Sequence, residues 1–176
     1  MKEDMRKDRM EDQERQDGHL VIIGGGEDRK HDMEILRRFV ELAGGAAANI
    51  VVITAASQIA DEMWEVYDRA FGTLGVDRRS HLLITSRQDA NSEDFVRQVE
   101  QATGIFMTGG DQKRLLALIG GSALDAAMHV ALKHRGATIG GTSAGASAMS
   151  GHMLAQGRAE TLPEKGSVSL GAGLGF

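Results

Sequence analysis

The chain has 176 residues, a formal net charge of −5 and no cysteine. That length allows one domain with a sizeable core, while the lack of cysteine excludes disulfides, thiolate nucleophiles and Cys-ligated metals. The acidic balance argues against a general nucleic-acid binder, which needs a basic face, and no apolar run reaches the ~18 residues of a membrane span.

Residues 1–18 are almost all charged or polar, with both signs mixed. Such a stretch cannot bury a core face and reads as a disordered tail, leaving 19–176 as the domain. It has no apolar h-region, so no secretory signal is visible and a cytoplasmic location is expected. From Leu20 the character changes. Leu20–Ile23 predicts a buried strand ending in Gly24-Gly25-Gly26. Met33, Leu36, Val40 and Ala43 follow at helical spacing and stop at Gly44-Gly45. Ile50–Ile53 is a second strand. Met63, Val66, Tyr67, Ala70 and Leu74 mark a second helix closed by Gly75. Leu82–Ile84 predicts a third strand, Ser92–Ala102 a third helix with Ser92 as N-cap, and Gly104–Met107 a fourth strand. Two helical stretches, Gln112–Ile119 and Ala123–Lys133, precede a short apolar strand at Ala137–Gly140. The strands are continuous rather than alternating in hydropathy. They should therefore be covered on both faces, which makes the fold α/β with a doubly wound, mostly parallel sheet. In such sheets function gathers at the carboxyl ends of the strands.

Two turns at those ends carry chemistry. Gly141-Thr142-Ser143-Ala144-Gly145 lies between a strand and the helix-compatible Ala146–Met149, the setting of a nucleophile elbow. Glycines make room for the tight turn, Ser143 is held in a strained conformation, and the Ala144 N–H points where an oxyanion would form. The competing reading is a Gly-rich turn with an incidental serine. Gly109-Gly110-Asp111-Gln112 opens a helix after a strand, and its bare N–H groups make an anion-binding nest. Gly110 would supply the second oxyanion donor. The alternative is an ordinary turn in which Asp111 is only an N-cap. Gly24-Gly25-Gly26-Glu27-Asp28 is a poor dinucleotide fingerprint, since Arg29 stands where the sixth-position glycine is required.

No histidine has a convincing acid–base setting, and no pair shows metal-ligand spacing. His31 follows the first glycine turn and His152 follows the elbow helix; these two are the best placed. His81 should open a strand at the amino edge, away from the chemistry. His19 precedes the first strand, and His129 and His134 read as surface groups. A serine without a base is poorly activated at neutral pH.

The three turns together, Gly24–Asp28, Gly109–Gln112 and Gly141–Met149, resemble the cyanophycinases, over roughly Gly18 to Phe176. These belong with aspartyl dipeptidases to a serine peptidase family of class I glutamine amidotransferase-like fold. The resemblance implies hydrolysis of cyanophycin, a poly-aspartate carrying arginine on each side-chain carboxyl, to β-Asp-Arg dipeptides. It assigns Ser143 as nucleophile, Gly110 and Ala144 as oxyanion donors, and Gln112 as a substrate contact. Aspartyl dipeptidase activity and a non-catalytic binding module are the alternatives. Asp111, with Glu27 and Asp28, is expected to favour a guanidinium-bearing substrate. No metal or cofactor is expected. The expected partners are the peptide-like polymer and a second copy of the chain, without nucleic acid or membrane. In the family an Asp-Gln-His run carrying the catalytic histidine comes shortly after the segment matching Gly171–Phe176. The expectation is therefore a domain incomplete at its C-terminus, with the base beyond Phe176, and a chain that is nearly inactive alone. Glu160 and Glu164 are the candidates within the chain for the acid.

Overall fold

The computed structural model describes residues 17–157 and 168–176. The charged tail up to Gln16 and the acid candidates Glu160 and Glu164 lie outside the described residues. In chain order the elements are β1 (Leu20–Ile23), α1 (Glu34–Leu42), β2 (Asn49–Ile53), α2 (Ala60–Thr73), β3 (Arg78–Leu82), α3 (Glu93–Gln101) and β4 (Gly104–Met107). They continue with α4 (Gln112–Ile119), α5 (Ala123–Arg135), β5 (Thr138–Thr142), α6 (Ala144–Ala148), β6 (His152–Gly157) and β7 (Val168–Ala172).

Five strands form one sheet in the order β1-β5-β4-β2-β3, every pair parallel. Side chains on a strand point alternately to opposite faces, and here both faces are apolar. Val51, Ile53, Ile105, Met107 and Ile139 pack into one core, beneath α3 to α6. Ile50, Val52 and Phe106 pack into another, beneath α1 and α2. This is the doubly wound α/β arrangement expected from the continuous apolar strands. Phe39, Phe71, Phe106 and Tyr67 make the densest part of the second core, with ring centroids 4.8–6.1 Å apart in tilted and edge-on geometries. Gly140 leaves them room: a Cβ there would sit 2.8 Å from both Phe39 and Phe106.

The winding direction decides where a site can form. From β1 the chain moves towards β3 over the α1 and α2 face; from β3 it returns over the other face to β5. Neighbours β1 and β5, and likewise β2 and β4, therefore send their following segments to opposite faces. A crevice opens between such strands at their carboxyl ends.

Three expectations are corrected by the sheet. β1 is an edge strand rather than a buried one, and Ile22 is 68% exposed. The third strand runs Arg78–Leu82, not Leu82–Ile84. It is the opposite edge, where one side faces solvent and polar residues are tolerated, so an apolar run does not mark it. His81 consequently sits next to the carboxyl end of β3, not at its start. There Nε2 is 2.7 Å from Thr54 Oγ1 and the ring stacks on Trp64. Burial lowers its pKa below the ordinary histidine value. β5 also extends further than expected, to Thr142, so the strand runs into the serine turn. Ser92 does stand at the N-cap of α3, but its side chain makes no capping bond. An antiparallel hairpin of β6 and β7 follows the elbow helix. Leu174, just beyond it, is buried and donates its N–H to Ala148 O at 2.7 Å, tying the hairpin to α6. Among the described residues no single helix is long and apolar enough to cross a membrane.

The aromatic cluster should dominate stability on its face. Phe106→Ala removes a fully buried ring that touches three others, and should cost about 3–5 kcal/mol by urea denaturation.

Candidate active site

Ser143 is the N-cap of α6, with φ 52° and ψ −111°. A residue other than glycine in this region stores backbone strain. Two close approaches hold it there. A Cβ on Gly141 would lie 2.6 Å from the Gly145 carbonyl carbon, and a Cβ on Gly145 would collide with the Met107 carbonyl oxygen of β4. The turn therefore closes only with glycine on both sides of the serine, and α6 starts directly against β4. The Ser143 N–H donates to Ile23 O at 2.9 Å, which pins the turn to the end of β1 as well.

The serine opens into a cleft of about 570 Å³ at the crevice positions described above. Its walls are Gly25–Glu27 and Arg29 after β1, Ala56–Ile59 after β2, Gly109–Asp111 after β4, and Thr142–Ser143 at the end of β5, with Met63 and Tyr67 from α2. The glycine turns after β1 and β4 flank Ser143: a Cβ on either Gly25 or Gly109 would be 3.9 Å from its Oγ. Gly110 has φ 145°, and a Cβ there would strike Ala56 O, so this turn too requires glycine. Among the described residues, neither the Gly110 nor the Ala144 N–H donates to a backbone carbonyl. Ser143 and Gly110 thus line one cleft, and Ala144 follows Ser143 at the start of α6.

The other two residues singled out are differently engaged. Asp111 lies on the rim, but its carboxylate caps α4, accepting from Lys113 N at 2.8 Å and Arg114 N at 3.3 Å. Gln112 is not in the cleft wall; its amide donates to Leu154 O on β6 at 2.9 Å. Asp28 is also turned to its own loop, accepting from the backbone N–H groups of Lys30, His31, Asp32 and Met33 at 2.8–3.2 Å. Those bonds hold its carboxyl well below the usual range. None of the six histidines lines the cleft. His31 is 84% exposed beside Asp28, and His129 is bound to Leu174 O at 2.9 Å.

Glu27 was not read from the sequence as a structural member of the site. It is 7% exposed and bridges two walls: the Thr142 hydroxyl donates to Oε2 at 2.6 Å, and the Tyr67 hydroxyl donates to Oε1. One carboxylate thus ties the loop after β1, helix α2 and the residue preceding Ser143 together. Burial first, then the hydrogen bond and charge of Glu27, push the Tyr67 phenol far above its ordinary range; Arg29 works in the opposite direction.

Residues 20–176 match the model of peptidase family S51. The chain is 38% identical over 157 residues to a cyanophycinase of Geminocystis herdmanii, covering 89% of this chain and 58% of that protein. It is 38% identical over 159 residues to a cyanophycinase of Synechococcus elongatus, covering 90% and 49%. The chain thus spans about half the length of the curated relatives it matches. The crystal structure of a peptidase from an acI-B1 actinobacterium superimposes with a TM-score of 0.71 at 25% identity, covering 90% of this chain and 64% of that one.

Tyr67 is the only tyrosine, so its ionisation can be followed alone by tyrosinate absorbance. Its folded pKa lies above the unfolded value of about 10. The native chain should therefore stay silent as pH passes 10. The stability this phenol contributes is full below about pH 10 and is lost as pH rises from there towards the folded value. Glu27→Gln should bring the transition down, because it removes the negative charge that opposes phenolate.

Proposed function

The chain belongs to peptidase family S51, and on that premise we propose that it carries the nucleophile of a serine peptidase acting on cyanophycin. The observation that carries this reading is Ser143 itself, strained at φ 52° between the glycine turns after β1 and β4 and lining the same cleft as Gly110, with Ala144 next in the chain. Ser143 Oγ attacks the substrate carbonyl, its proton passing by way of solvent water to the departing amine, and the N–H groups of Gly110 and Ala144 receive the negative oxygen as the tetrahedral intermediate forms. The amine departs, and water hydrolyses the ester to free the serine. The small-residue elbow suits acyl transfer, and the curated relatives at 38% identity support cyanophycin as the substrate.

The cleft supplies no histidine to take the Ser143 proton. We therefore expect the 176-residue chain to turn over far below a working peptidase, retaining at most ~10³–10⁴-fold over water from binding and the oxyanion hole. The same observation favours one second reading, a module that binds the polymer without cleaving it.

The test uses a serine-reactive phosphonate followed by mass spectrometry, with cyanophycin hydrolysis measured in parallel. The expected result is a single adduct on Ser143, absent from Ser143→Ala, and slow release of β-Asp-Arg that Ser143→Ala abolishes. Binding of cyanophycin with no adduct and no product dependent on Ser143 would establish the binding module instead.

A further inference from the structure

Arg29 lies in the wall of the same cleft as Ser143, and the proposed reaction does not use it. Its guanidinium carbon stands 5.7 Å from the centre of the Tyr67 ring, a cation–π arrangement. Tyr67 is fully buried and held by Glu27 through its hydroxyl, so the platform beneath Arg29 is rigid. The nearby carboxylates are committed elsewhere. Glu27 accepts from Tyr67 and Thr142, and Asp28 accepts from four backbone N–H groups. Among the described residues Arg29 forms no ion pair. A half-buried guanidinium that forms no ion pair and lines the same cleft as Ser143 is suited to a planar anion that can take two parallel N–H bonds.

We propose that Arg29 recognises a free carboxylate of the substrate and so sets specificity for acidic-ended peptide material at this cleft. The inference rests on the peptidase reading for the choice of ligand. An arginine attached through its α-amine keeps a free carboxylate, and that is the group Arg29 reads.

The test is calorimetric titration of the Ser143→Ala chain, which binds without turnover. The ligands are β-Asp-Arg dipeptide and its bis-amide, which lacks both free carboxylates. With Arg29 present, amidation should weaken binding by about tenfold or more, the value of one charge-assisted pair. With Arg29→Gln, amidation should change affinity by less than about twofold. Arg29→Lys, which keeps the charge but loses the fork, should give an intermediate discrimination and serves if the glutamine variant fails to fold. Undiminished discrimination in the variants, or no binding of the free dipeptide when Arg29 is present, overturns the proposal. Phosphonate labelling of Ser143 reads the peptidase function separately. Labelling without carboxylate discrimination removes only the role of Arg29; discrimination without labelling removes the peptidase reading and keeps Arg29 as a carboxylate reader.

Discussion

The site depends on backbone meeting backbone where no side chain fits. The Gly145 Cα lies so close to the Met107 carbonyl of β4 that a methyl group could not be placed between them, and Gly141 is shut against Gly145 in the same way. Helix α6 can start only one residue after β5 ends because of these contacts. Ser143, the residue between, is held at φ 52°. Its strain is set by the packing of β4, β5 and α6, and those elements are fixed by the apolar core on that face of the sheet.

The reversal of winding does the rest. Strands β1 and β5 are adjacent but feed opposite faces, as do β2 and β4, so four loops converge on one crevice. Two of those loops contribute the glycine turns around Ser143. A third, after β2, is crossed by the Gly110 turn, and Asp111 N donates to Ala56 O at 2.9 Å. The Glu27 carboxylate then links two walls through Tyr67 and Thr142. Burying such a carboxylate is costly unless its oxygens are satisfied, and here both oxygens accept a hydroxyl. The cleft is thus braced on each side of Ser143 before any ligand enters.

Much of this was legible in the sequence because the informative signals are local. Continuous apolar runs marked β2 and β4, and the glycines of the serine turn marked a strand-to-helix elbow. The misreadings come from context that local pattern does not carry. Arg78–His81 has no apolar run, since an edge strand needs only one covered side. β1 looks like a core strand by composition, yet its position at the other edge leaves Ile22 open. The role of Glu27 depends on Tyr67, 40 residues away in sequence, and Thr142, 115 away. The available signal was an acid directly after a glycine turn at a strand end; its partners could not be named without the fold. The same turn, weighed as a nucleotide loop, instead flanks the serine.

The central claim is that Ser143 and the N–H groups of Gly110 and Ala144 form one acyl-transfer site. A crystal structure of the chain phosphonylated at Ser143 tests it most directly, since the phosphonyl oxygen stands where the oxyanion would. The expected result is that oxygen at about 3 Å from both Gly110 N and Ala144 N. A phosphonyl oxygen turned to solvent, with either nitrogen out of hydrogen-bond reach, would contradict it.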